Sequence, residues 1–411
     1  MRVVVVTEHR FVHMPGGVST AGPFAYSFWK RYLSVFDGVT VIARAAGAVR
    51  LKGAGAEAQA ARAGGPGVWI AALPYYRGPE QFFWRLPRIR RALLASLDES
   101  DAIILRLPSV LAALAEGWLR RTGRPFAVEV VGDPWDALAR GAHPHPLRAL
   151  FRQALARSQR RQCAASCAAS YVTRQALQRR YPAGLGALAV GCSDVELPHS
   201  VFAEHPRAAT QPLRKPALIT VGSLNHLYKA QDVLLEAVAC CRRNGLDASL
   251  VVVGDGQCRP ALEARCRLLG IQDHIIFRGQ LAFGGAVRRE LDQADLFALP
   301  SRQEGLPRAL LEAMARALPA IGSTVGGIPE LLAPEDLAQP GNPAQLARKI
   351  EEVCRDPARL EQMSERNLST ARQYEETRLE RQRSLFLERV RTETERWAHL
   401  RRGAGYAAGA A

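Results

Sequence analysis

Two glutamates, Glu304 and Glu312, stand with seven residues between them in the run Pro300-Ser301-Arg302-Gln303-Glu304-Gly305-Leu306-Pro307-Arg308-Ala309-Leu310-Leu311-Glu312-Ala313. The run leaves an apolar stretch that reads as a buried strand, turns at Gly-Leu-Pro and enters an amphipathic helix. Glu304 therefore falls on the loop entering the helix and Glu312 about two turns further along. Gly305 and the residues after it offer backbone N–H groups at a helix N-terminus, where hydrogen bonding and the helix dipole both favour an anion such as a diphosphate. Glu304 alone would serve equally well as a helix cap; the flanking strand and turn tip the reading toward a site. A second loop, Val221-Gly222-Ser223-Leu224-Asn225-His226-Leu227-Tyr228-Lys229-Ala230, brings a lysine, a rare residue in this arginine-rich chain, to the end of another strand. Between the two lies a glycine turn, Val253-Gly254-Asp255-Gly256.

Strands must hold these loops. Residues 3–7 read as a buried parallel strand, followed by a loop with Pro15, Gly16 and Gly17 and a helical stretch from near Gly22. Further strands fit 39–43, 69–73, 102–105 and 126–131, with helical segments at 81–97 and 110–122. After a polar, proline-containing stretch the alternation restarts, with strands at 217–221, 249–253, 274–277, 296–299 and 320–323 and helices at 231–244, 259–269, 286–293, 308–317 and 343–354. The class is α/β, with two Rossmann-like domains facing across a cleft. The expected boundaries are 1–203, a linker at 204–216, a second domain at 217–360, charged helices at 361–402 packing back across both domains, and a disordered tail at 403–411. Leu379, Leu385, Phe386 and Val390 supply the apolar stripe of that last helical region. Ligands of such sheets sit beyond the carboxyl ends of the strands, so chemistry is expected in the loops between the domains.

In the order and spacing of these motifs the chain resembles the retaining, GT-B-fold glycosyltransferases of the large family four, or glycosyl transferases group 1. The likeness is strong over 217–352 and weak before that. It implies transfer of a sugar from a nucleoside-diphosphate sugar to an acceptor with retention of anomeric configuration, the acceptor lying in the first domain and the donor in the second. It assigns Glu304 to the sugar, Glu312 to the ribose hydroxyls, and Lys229, Gly305 and Leu306 to the diphosphate and its loop. The loop at Gly222, Ser223 and Lys229 resembles the family's phosphate loop, in which two cations neutralise the diphosphate. Here Ser223 stands where arginine is common and Ala230 where glycine is usual, leaving Arg302 or Arg308 as a candidate second cation. Gly254 matches a turn near the nucleotide, and Gln280 and Leu281 the segment that receives the base; 322–330 completes the series. Gly16 and Gly17 match a glycine pair that closes over the donor phosphates, with His9, Arg10 and His13 in the same loop. Where relatives carry a histidine after the fifth strand this chain has Gly132, and Asp133 becomes the candidate to orient donor or acceptor, completing a catalytic set with Glu304 and Lys229. Thr173 fits a helix cap beside the cleft. The resemblance implies neither a metal nor another cofactor, the nucleotide sugar being a co-substrate.

The chain carries a formal charge of +16 on 411 residues, drawn mainly from arginine. Such a field attracts an anionic membrane surface or an anionic nucleotide. No nucleic-acid-binding signature accompanies it, and nucleic acid is not an expected partner. The eight cysteines show no metal-ligand spacing and read as reduced thiols. No run of about 20 apolar residues is present, so a cytoplasmic protein is expected, at most touching the inner face of a membrane. Two rival readings stay open: a sugar-nucleotide epimerase of the same fold, and a non-catalytic, membrane-docked subunit that binds nucleotide sugars, suggested by the basic amphipathic stretches 86–97 and 147–163.

Overall fold

The computed structural model describes residues 1–20, 24–47, 61–97, 101–138, 147–282 and 284–408. The first sheet contains β1 (Arg2–Met14), β2 (Gly17–Thr20), β3 (Gly38–Ala46), β4 (Ala61–Arg62), β5 (Val68–Leu73), β6 (Ala102–Leu107), β7 (Ala127–Val130), β8 (Ala168–Tyr171) and β9 (Leu188–Gly191). Its parallel body runs β5-β3-β1-β6-β7-β8-β9, and β2 and β4 add to it antiparallel beyond the end of β1. The second sheet is parallel throughout, in the order β12-β11-β10-β13-β14-β15, from β10 (Ala217–Val221), β11 (Ser249–Val253), β12 (Ile275–Gly279), β13 (Leu296–Leu299), β14 (Ala320–Ser323) and β15 (Leu337–Ala338). This is the expected two-sheet α/β architecture.

Strands β10 to β14 lie within about two residues of their sequence positions, because each is a short apolar run, fully buried in β13 and β14 and half-exposed in the edge strand β12; β15, two residues long, has no counterpart among the expected strands. The first sheet departs further. β1 does not stop at Thr7: it shifts register between Val6 and Arg10, pairs again with β3 at Arg10–Val12, and turns back at Gly17 as a hairpin. Gly16 and Gly17 therefore form a hairpin tip instead of a loop directly after a buried strand. The helical start near Gly22 lies outside the described residues, and the helix there is short, Tyr26–Trp29. At the hairpin base, His9 packs edge-on against Phe11 and Phe24 and shares a 2.8 Å hydrogen bond with the Thr20 hydroxyl. It is a packing residue, while Arg10 and His13 face outward.

The helix Glu376–Ala408 returns to the first domain, packing on β6, β8 and β9, while Pro357–Arg372 stays on the second. Its buried stripe is Leu379, Phe386, Leu387 and Val390; Leu385 points outward, and Leu387 fills the place expected for it. The helix continues through residue 408, where the sequence suggested disorder from 403, and residues 409–411 lie outside the described part. One apolar cluster runs from the first sheet through Leu306, Leu310 and Ile328, so the two domains share a core at their contact.

Burial, with Arg44, Arg10 and Arg106 nearby, lowers the His9 pKa to about 4. Its unfolded counterpart titrates near 6.5, so between those values the unfolded chain takes up a proton that the folded protein refuses. Stability should fall as pH drops from about 6.5 to about 4, by up to about 3 kcal/mol from this group. Urea unfolding at successive pH values checks this: His9→Gln should flatten the slope in that window, whatever it does to stability at neutral pH.

Candidate active site

All six strands of the second sheet end on one edge, and the loops leaving it pack against one another. Gly222 N donates to Val253 O and Leu224 N to Asp255 O, both at 2.9 Å, which seats the glycine turn on the 222–230 loop. Gly254, at φ +134°, comes so close that a Cβ would lie 2.0 Å from Gly222 O, so no side chain fits. Its N–H donates to Gly279 O at 2.8 Å, which places Gln280 and Leu281 beside the turn, with Gln280 exposed.

Lys229 ends a short turn, Leu227–Lys229, and Ala230 then adopts φ +55°, a left-handed conformation that glycine would take without strain. The Lys229 ammonium donates to Glu304 Oε1 at 2.7 Å, and both side chains are largely buried. Ser301 Oγ donates to the same oxygen at 2.7 Å, and Ser323 Oγ fixes the Ser301 carbonyl at 2.6 Å. Arg302 is not available as a second cation, because it forms a bidentate pair with Asp232 at 2.7 Å on both arms. Ser223 Oγ accepts from Asn225 N and Nδ2 at 3.2 and 3.1 Å, shaping the loop. Arg308 opens the helix Arg308–Ala315, is exposed, and forms no ion pair among the described residues; no side chain caps that helix. One turn on, Glu312 also has no ion pair among the described residues. Burial raises its pKa, partly offset by Arg308 and Arg288.

Lys229, Glu304, Gly305, Leu306 and Arg308 line a cavity of about 230 Å³, closed from the first domain by Val131, Val172 and Asp194. A larger cavity, about 410 Å³, lies elsewhere, between Leu119, Phe126, Cys167 and Trp397, and none of the motif residues reaches it. Gly305 is a close approach of the domains: a Cβ there would lie 2.5 Å from Val131 O. Beside it, the Glu330 carboxylate accepts from the backbone N–H groups of Arg174 and Gln175, at 2.7 and 3.0 Å, and from that of Ala176. The second domain thus caps a helix of the first. Thr173 does cap there, its hydroxyl accepting from Leu177 N at 3.1 Å.

Asp194 was not singled out from the sequence. Burial works against its charge, but Arg106 and Arg31 overcome this and hold its carboxyl below the usual range. Arg106 also pairs with Glu129 at 2.6 Å, and the Tyr32 hydroxyl donates to Glu129 at 2.8 Å. The available signal was charge inside apolar strands, Arg106 in β6 and Glu129 in β7. Two further expectations lie apart from this cavity. Gly16 and Gly17 do not line the cavity, since β1 carries them out to the hairpin tip. Asp133 does not line it either: its buried carboxylate accepts from Trp135 N at 2.8 Å, from the Tyr181 hydroxyl and from Arg180. The bond from Trp135 N makes it the cap of the short helix Pro134–Ala137, and the other two tie that cap to the end of the helix Ala176–Arg180.

Asp133→Ala should therefore lower stability by about 2–4 kcal/mol, through unpaired partners, and leave nucleotide affinity within about twofold. Chemical denaturation paired with nucleotide titration separates this from a catalytic role.

Residues 215–356 match the family model described as glycosyl transferases group 1. Protein CapJ of Staphylococcus aureus is 25% identical over 327 residues, 80% of this chain and 80% of its own. The 2-deoxystreptamine glucosyltransferase of Streptomyces kanamyceticus is 33% identical over 146 residues, 35% of this chain and 37% of its own. Among solved structures, Anabaena HepE in complex with UDP-glucose superposes with a TM-score of 0.64 at 16% identity, covering 94% of this chain and 99% of that one. Sucrose-phosphate synthase from Thermosynechococcus elongatus gives 0.63 at 16% identity, covering 99% of each. At such identities the likeness establishes the fold. The chain thus has the GT-B fold throughout, and its residues 215–356 carry a domain that matches the glycosyl transferases group 1.

Proposed function

We propose that the protein transfers a sugar from a nucleoside-diphosphate sugar to an acceptor hydroxyl with retention of configuration. One observation carries this reading: the Lys229 ammonium, 2.7 Å from Glu304, meets the uncapped N-terminus of Arg308–Ala315 in a single cavity. A diphosphate there would accept from Lys229 and from the N–H groups after Gly305, with Arg308 as the second cation. Glu312, half-buried and without an ion pair among the described residues, offers an acceptor for the ribose hydroxyls. HepE was solved with UDP-glucose, which makes uridine donors the first to test.

The bond from the anomeric carbon to the diphosphate breaks as that carbon bonds to the acceptor oxygen, and the acceptor proton passes to the departing phosphate oxygen. Lys229 and the helix N-terminus stabilise charge growing on that phosphate. Glu304 and Asp194, the carboxylates lining the cavity, are both held by cations, Glu304 by Lys229 and Asp194 by Arg106 and Arg31. Neither is free to attack the sugar, which favours substitution on one face over a covalent intermediate. Since Lys229, Arg308 and the helix supply the neutralising charge, the proposal requires no metal.

Steady-state kinetics test the roles. Glu312→Ala should raise donor KM by about tenfold with little change in kcat, as loss of hydrogen bonds to a charged acceptor would. Glu304→Ala should lower kcat by about a hundredfold or more with a smaller effect on KM. Unchanged kinetics in both variants, or conversion of the donor to an epimer without any acceptor, contradicts the reading. The raised Glu312 pKa adds a pH signature. The ionised carboxylate is the better acceptor, so donor affinity should weaken on acidification at a higher pH than an ordinary glutamate would give, and Glu312→Gln should abolish that dependence.

A further inference from the structure

The helix Gly78–Ala95 buries Ile89 and Leu93 completely, with Phe82 and Leu86 packed at the same helical spacing, so the opposite side faces solvent. That outer side carries Trp84, 88% exposed, and Phe83, 58% exposed, next to Arg88 and Arg91. Two adjacent large aromatics left in water are an unpartnered apolar surface. The helix contains four arginines against one acid, Glu80, and Arg88, Arg90 and Arg91 form no ion pair among the described residues.

A second helix extends the surface. Arg148–Ala165 has five arginines and no acid, and Leu147 and Leu150 are exposed at its start. Both helices pack against Val110–Thr122, which lies between them on one face of the first sheet. The first follows β5; the second begins beside the short helix Pro134–Ala137 that follows β7, with Arg148 and Arg152 donating to the Leu138 and Trp135 carbonyls, so each begins at the carboxyl edge that faces the cleft. Phe83, Trp84, Leu147 and Leu150 thus sit toward the cleft rim, and most of the arginines follow along the helices.

We propose that this face docks the protein on an anionic lipid bilayer, the four apolar side chains entering the interfacial layer while Arg88, Arg91 and Arg157 neutralise headgroup phosphates. Charge complementarity selects an anionic partner. Exposed leucines select acyl chains over nucleobases, since an aliphatic tip offers no stacking face. Among the described residues no helix is long and apolar enough to cross a membrane, so the contact is peripheral. It sets the acceptor side of the cleft at the lipid surface and does not depend on the donor chemistry.

Co-sedimentation of the full chain with vesicles of phosphatidylcholine alone, or with added phosphatidylglycerol, tests this. Binding should require phosphatidylglycerol, weaken with salt, and fall about fivefold for each charge removed in Arg88→Gln/Arg91→Gln. Phe83→Ser/Trp84→Ser should lower it by about tenfold or more. Lys229→Ala should sediment as the wild type does, which separates docking from the donor site. Equal binding to neutral vesicles overturns the proposal, as does wild-type binding by both double variants, or displacement by single-stranded RNA that is indifferent to Phe83 and Trp84.

Discussion

Removing a lysine and a glutamate from water together is stable only if the partners stay paired and the remaining lone pairs are satisfied. The Lys229–Glu304 pair meets that condition at 2.7 Å, with Ser301 donating to the shared oxygen. The two side chains come from different loops, one after β10 and one after β13, which are adjacent strands in the sheet. Much of the second domain is arranged to hold those loops in register: Ser323 fixes Ser301, Asp232 clamps Arg302, and the glycine turn after β11 buttresses the lysine loop. A lysine held this way is preorganised for a phosphate, because the ordering cost is met during folding.

The first domain completes the site by contact of backbone with backbone. Gly305 lies against the Val131 carbonyl, so a side chain there would force the domains apart; within the second domain a Cβ on Gly326 would fall 2.2 Å from Glu304 O, which keeps the two loops in close contact. Glu330 then ties the second domain to the first through the N–H groups of 174–176. The loop that carries Glu304 therefore packs directly against the first domain as well as its own. Small movements between them would be felt at Glu304, which suits a reaction that must exclude water when the donor is bound.

The second domain was readable in the sequence because its strands are short apolar runs punctuated by glycine, and its motif residues lie on the loops that such runs define. Lys229, Glu304 and Gly305 come together as the spacing suggested. The first domain was less readable. β8 and β9 are four residues each and carry alanines, serine and glycine, too weak a pattern to mark strands. β1 extends past its apolar start because pairing with β2 and β3, which is a tertiary contact, holds residues that have no strand signature of their own. Asp133 looked free because its partners Arg180 and Tyr181 are more than 40 residues away in sequence. Asp194 went unnoticed for the same reason, its arginines being supplied by distant elements.

The most direct test of the account is calorimetric titration of UDP-, GDP- and ADP-sugars against the wild type and Lys229→Ala. The structure predicts that one nucleotide class binds the wild type and that the variant loses about tenfold to a hundredfold in affinity, as loss of a charge-assisted phosphate contact requires. Equal affinity in the two proteins would mean that the Lys229–Glu304 pair only holds the loops together and that the diphosphate binds elsewhere.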